Sequence, residues 1–224
     1  MSEPDSPHPF WMELGASAWA NAQTVSMREA IHKVGHGSTA GAKMVAAGVL
    51  PTVATPGYQN PRVGVATIDL LLARPTFERD ALAGMTGTIV VRCGGPHRAG
   101  EAPDPVEEHL ARAYYGFHRT MTRRQAVPST ASWWSLHPRT LGLPGTRLAP
   151  GRAYDVGVDR LLVTVGGLVV LDGRIVRAHV RAPILEGYVR PLVGFELADP
   201  DDDAVGTWLP PTRSGNVALR AADW

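Results

Sequence analysis

The feature that most restricts this chain is the shortness of its apolar runs. The longest nearly unbroken one, Leu161 to Leu171, covers 11 residues and is interrupted by Gly166 and Gly167, whereas a helix that crosses a bilayer needs about 20. No transmembrane helix is predicted, so the apolar residues must close on a core of their own. Hydrophobic residues make up 44% of the 224 and charged residues 19%, the balance of a globular chain and not of a disordered or fibrous one. That length favours a single domain spanning residues 1–224 over two very small ones.

The pattern of breakers and periodicities predicts an α+β fold. Ser6, Pro7 and Pro9 mark a helix start, and residues 10–33 lack proline and place Trp11, Leu14, Ala18, Val25 and Ile31 at roughly helical spacing. They read as one long amphipathic N-terminal helix ended by Gly35 and Gly37, with Ser38 capping a shorter helix through Leu50. Residues 62–73 and 86–93 are rich in β-branched side chains and read as two strands of one sheet, with one or two helical turns between them. After the loop from Gly94 to Pro105, the sequence Asp104-Pro105-Val106-Glu107 carries a cap, a proline at the first helical position and an acid three residues on, so a second helix is expected from Pro105 to about Thr122. From Tyr154 the chain reads as an antiparallel sheet, with strands near 154–165, 168–171, 174–181 and 187–197 and a hairpin turn at Asp172-Gly173. Residues 199–224 are expected to be a peripheral C-terminal tail.

Several chemistries are disfavoured at once. Cys93 is the sole cysteine, so neither an intrachain disulfide nor a thiolate metal cage can form within one chain. The N-terminus, with acids and prolines, lacks the basic and apolar pattern of a secretory signal, which predicts a cytoplasmic protein. His32 and His36 are four apart, but Gly35 lies between them and no Glu accompanies them, so an end-of-helix pair is the plainer reading than a metal site. No phosphate-loop, dinucleotide or nucleophile-elbow motif occurs. No metal or organic cofactor is therefore expected. Only Lys33 and Lys43 among the 22 basic residues are lysines, which leaves two candidates for covalent amine chemistry. A formal net charge of +1 gives no strong field for polyanions. Arg119, Arg123 and Arg124 near Tyr114, Tyr115 and Phe117 could still form a nucleic-acid-binding face, or simply a solvated helix end.

The richest region is 74–109, where Arg74, Arg79, Arg92, His97, Arg98, Glu101, Glu107, Glu108 and His109 surround a strand, a glycine loop and a helix start. Guanidinium groups can clamp a carboxylate and a carboxyl group can shuttle protons, a set suited to acid–base catalysis on a small carboxylated substrate. Glu107 has a second reading as a capping-box residue. Trp133 and Trp134 could line a pocket for an aromatic substrate or fill a core.

Arg79, Thr86, His97 and Glu107 resemble the arginine, threonine, histidine and glutamate of the marinacarboline-type bacterial Pictet–Spengler cyclases, with the Arg-to-Thr and His-to-Glu spacings in common and a short insertion at Cys93–Pro96. The resemblance covers residues 79–107. It implies condensation of L-tryptophan with an aldehyde to a β-carboline, with Glu107 as acid–base group, Arg79 holding a carboxylate, His97 and Thr86 orienting the polar end of the substrate, and Trp133 or Trp134 over the indole. It also implies a homodimer. A nucleic-acid binder and a non-enzymatic assembly protein, such as a phage structural subunit, are the alternatives from other functional classes.

Overall fold

The computed structural model describes residues 6–20, 23–98, 114–132, 134–181, 192–198, 202–212 and 218–224. The fold is α+β. In chain order the elements are α1 (Pro9–Ser17), β1 (Thr24–Ser26), α2 (Met27–Lys33), α3 (Ser38–Ala46), β2 (Thr52–Val53), β3 (Arg62–Gly64), α4 (Val65–Leu72), α5 (Arg79–Gly84), β4 (Thr88–Arg92), β5 (His97–Arg98), β6 (Tyr114–Tyr115), α6 (Arg123–Ala131), β7 (Trp134–Ser135), β8 (Arg152–Tyr154), β9 (Arg160–Val165), β10 (Leu168–Arg181), β11 (Leu192–Leu197) and β12 (Ala218–Arg220).

A seven-stranded sheet runs β12-β4-β9-β10-β11-β7, with β8 added to β10. Its pairs are antiparallel except β4 with β9, which run parallel. The 14-residue β10 links the two halves: Leu168–Arg174 pair with β9 and Ile175–Arg181 with β11, with a register shift in each ladder. The central strands are buried on both faces, and side-chain alternation sends successive residues into two different clusters. Ile89, Val91, Leu161 and Val163 join the main core, while Val90, Leu162 and Val169 face a smaller cluster with Leu82, Leu209 and Ala221.

The expected long N-terminal helix is instead two short helices separated by strand β1. The chain turns after Ser17, exposing Trp19, and Val25 pairs with Val63 in a three-stranded sheet, β1-β3-β2. Arg62 fixes that pairing by donating from Nε to Thr24 Oγ1 at 2.9 Å and from Nη2 to the Thr24 carbonyl at 2.8 Å. Ser26 then caps α2, its hydroxyl accepting from the Glu29 amide at 3.2 Å; Ser-x-x-Glu is a helix-start signature inside the apparent helix. The cap of α3 is Gly37, with Ser38 its first residue.

Residues 62–73 are likewise not one strand. They turn from β3 into helix α4, because Thr67, Ile68 and Leu71 supply a buried face at helical spacing, and packing overrides β-branched propensity. β3 and β4 also lie in different sheets. Of the helix expected over 105–122, residues 105–113 lie outside the described residues, and 114–122 form β6 and turns. Arg123 and Arg124 consequently open a helix, α6, and do not close one.

The Asp172-Gly173 pair is not a turn. The hairpin between β9 and β10 is made by Gly166 and Gly167, with φ of +59° and +88°, the left-handed conformation that a two-residue loop demands. Asp172 lies within β10 and is fully buried. The segment expected at the periphery is also packed: Ala204, Val205 and Leu209 are buried, Gly206 and Leu209 donate amide hydrogen bonds to Val169 and Gly167 carbonyls, and β12 forms the sheet edge beside β4. Among the described residues, no helix is long and apolar enough to cross a membrane.

Candidate functional site

The C-terminal end of β4 opens into a cavity of about 790 Å³. Helix α3 forms one wall through Ser38, Thr39, Ala42, Lys43 and Ala46; Arg92 to Gly95 form the floor; His97, Tyr115, Ser129, Ser132 and Trp134 complete the rim. Its dimensions suit a small organic ligand. The close approach of α3 to the floor depends on glycine. A Cβ at Gly95 would come within 2.5 Å of Ala46 Cβ, and Gly116, at φ +94°, would carry one into the Gly95 carbonyl. Backbone bonds fix this floor, with the Phe117 amide donating to Gly94 O at 3.0 Å and the Gly116 amide to Ser129 O at 2.9 Å.

The rim is aromatic. His97 pairs with Tyr115 across the β5–β6 ladder, their rings stacked with centroids 5.2 Å apart. Trp134 is held by its indole N–H, which donates to the Thr130 carbonyl at 2.9 Å. The floor and helix wall contribute two cations, Arg92 and Lys43, and no carboxylate lines the cavity among the described residues. Cys93 is buried, and burial pushes its thiol up to about 12. It is therefore a thiol at neutral pH and a poor nucleophile.

A second cavity, of about 430 Å³, lies on the other side of this wall. Thr39, Lys43, Arg92 and Cys93 border both, and His36, Gly167, Pro211 and Trp224 help to enclose the second. The Arg92 guanidinium stands 5.0 Å over the Trp224 ring. His36 rests against Trp208 with ring centroids 5.3 Å apart, and its buried Nε2 finds no hydrogen-bond partner among the described residues.

Of the residues singled out in the sequence, His97 and Trp134 meet at the first cavity. Arg79 and Thr86 do not line it. Arg79 donates to the main-chain carbonyls of Trp224 at 2.9 Å and Pro211 at 2.5 Å, and Thr86 is exposed, with its carbonyl accepting from Arg220 at 2.8 Å. Glu107 and Trp133 lie outside the described residues. His32 and His36 do not form a ligand set, and among the described residues no group of three or more His, Cys, Asp or Glu could hold a metal. The basic-face residues are also dispersed: Arg119 folds toward Gly15 and Gly48, and Arg123 is ion-paired with Asp202. The α3 wall is the part that sequence reasoning missed. Its signal was the placement of a rare lysine, Lys43, on a helix rich in small residues.

Comparisons with protein-family models, curated proteins and solved structures give no match to this chain.

Burial lowers the His36 imidazole below the ordinary value of 6.5, as it does those of His8 and His118. The neutral form is favoured in the folded state, so the unfolded chain binds more protons once the pH falls below about 6.5. Stability is expected to fall as pH drops from about 6.5 toward 5. His8 adds to the loss because its Nδ1 accepts from the Phe10 amide at 3.2 Å and caps α1 only when unprotonated. Urea unfolding across this range is the check, and His36→Phe is expected to flatten the pH dependence.

Proposed function

We propose that the larger cavity is the site of a cofactor-free acid–base condensation of L-tryptophan with an aldehyde, giving a β-carboline scaffold. The observation that carries the reading is the composition of the cavity: one cation on the helix wall, a second on the floor and three rings at the rim. The two cations draw in the carboxylate of a small substrate, and the flat side chains offer a face to an indole.

In this reading the tryptophan amine condenses with the aldehyde to an iminium with loss of water, the indole attacks it, and a base removes the proton of the resulting cation. Arg92, which lines the cavity, takes the carboxylate-holding role in place of Arg79, which lies outside it and donates to two main-chain carbonyls. Trp134 covers the indole and His97 orients the polar end, while Thr86 has no part in the cavity. Glu107 remains the proposed acid–base group, supported by its place in the segment that joins β5 to β6, both of which border the site. A cytoplasmic homodimer completes the proposal; a single, buried cysteine suits a reducing compartment.

The test is incubation of the purified protein with L-tryptophan and a panel of aldehydes, followed by mass spectrometry. The expected product has the mass of both reactants less one water and forms faster than in buffer. Equal rates with and without protein, across the panel, would remove this assignment.

A further inference from the structure

The wall between the two cavities contains a primary amine. Lys43 and Lys33 are the only lysines in the chain, and they are placed very differently. Lys33 is ion-paired with Glu29 at 3.2 Å on the surface of α2. Lys43 borders both cavities, and among the described residues its amine has no hydrogen bond or ion pair. Its stem runs over the chain at Gly94, where an added Cβ would meet its Cγ at 3.7 Å. Its charge is felt by the Cys93 thiol at the cavity floor. Arg92 lines the same two cavities, and neither has a carboxylate among its described lining residues.

An amine on the helix wall and a guanidinium on the floor, bordering the same two cavities, are complementary to a molecule with a carbonyl and a carboxylate side by side. We propose that Lys43 captures a small 2-oxo acid, with glyoxylate as its simplest member, as an imine, while Arg92 clamps the carboxylate. The neutral Nζ adds to the carbonyl carbon to give a carbinolamine, whose hydroxyl leaves as water, so the amine and the carbonyl compound yield imine and one water with no redox change. Solvent takes the proton that the ammonium must lose, which the exposure of Lys43 permits. The inference rests on the condensation reading for its purpose. An incoming amino-acid amine adds to the imine carbon, expels Lys43, and leaves as the substrate imine that the cyclisation consumes. One cavity would then serve each reactant, with Lys43 between them.

The capture step can be read without turnover. The full-length protein is treated with glyoxylate and cyanoborohydride in the absence of tryptophan, and the adduct is located by peptide mass spectrometry. Lys43 is expected to be labelled at least about tenfold faster than Lys33, the internal reference for an ordinary surface amine. Oxalate should slow labelling at Lys43 and not at Lys33, and Arg92→Gln should slow glyoxylate but not propanal. Lys43→Arg should abolish the fast adduct. Equal labelling of the two lysines, or fast labelling of Lys43 that ignores oxalate, would overturn the proposal. Because tryptophan is absent from the reaction, failure of the condensation assay leaves this result standing, and condensation by a protein that does not trap at Lys43 would remove the imine alone.

Discussion

Arg160→Ala is expected to lower the free energy of unfolding by about 3–5 kcal/mol, the scale for removing one partner of a buried ion pair. Asp172 is completely buried within β10. Its carboxylate accepts from Arg160 Nε at 2.8 Å and Nη2 at 2.5 Å, and also from the Ala204 amide at 3.2 Å. Without the guanidinium, a carboxylate surrounded by core keeps one main-chain donor, and a charge in that setting costs several kcal/mol. The same group ties β9 and β10 to the segment carrying Ala204 and Val205, while the adjoining Asp172 carbonyl accepts from Arg123 Nη2 at 3.2 Å. The loss should therefore spread through both faces of the sheet. Urea unfolding followed by tryptophan fluorescence measures it. Replacing both partners with apolar residues, Arg160→Met with Asp172→Leu, should recover most of the loss, because it is the lone buried charge that destabilises. A cost below about 1 kcal/mol for Arg160→Ala would mean that the carboxylate reaches water.

The largest expected effect on activity belongs to Glu107→Gln. A glutamine can replace glutamate in a capping box, so melting temperature should be nearly unchanged. It cannot exchange protons at neutral pH, so condensation under saturating substrate should fall by about a hundredfold or more. Single-turnover mass spectrometry beside a thermal melt separates the two roles in one preparation. Full turnover in the variant would leave Glu107 as a capping residue and return the acid–base role to another group.

The parts of this fold that could be read from sequence are those in which local preference and packing agree. Strand β4 and helix α5 fall within the stretches that β-branched residues and breakers mark out, and β9, β10 and β11 are antiparallel as expected, with β10 a single strand where two strands and a turn were expected. Misreadings occur where two local signals compete. Ser26 and Glu29 signal a helix start, but the apolar spacing of Trp11, Leu14 and Val25 concealed it. Gly166-Gly167 and Asp172-Gly173 are both good turn sequences, and the choice between them is made by a long-range contact, Arg160 with Asp172. The site divides in the same way. His97 and Trp134 were recognisable by residue type, yet their meeting requires α3 to pack over Gly95, an arrangement that only the tertiary structure supplies. Arg79 illustrates the converse, since nothing local says that its guanidinium will be taken up by carbonyls at Pro211 and Trp224.

The central claim is that the cavity between α3, the end of β4 and the β5–β6 ladder is where the chemistry occurs. Ala42 tests it most directly, because it is exposed on α3 and lines the cavity without contributing to the core. An indole at this position would occupy the space assigned to the substrate and leave the packing of α3 intact. The decisive measurement is the condensation rate of Ala42→Trp with L-tryptophan and the best aldehyde, taken with its circular dichroism and melting temperature. The account predicts a folded protein whose rate is lower by about a hundredfold, a loss of roughly 2.7 kcal/mol of transition-state stabilisation. A folded Ala42→Trp protein that turns over at the unmodified rate would contradict it.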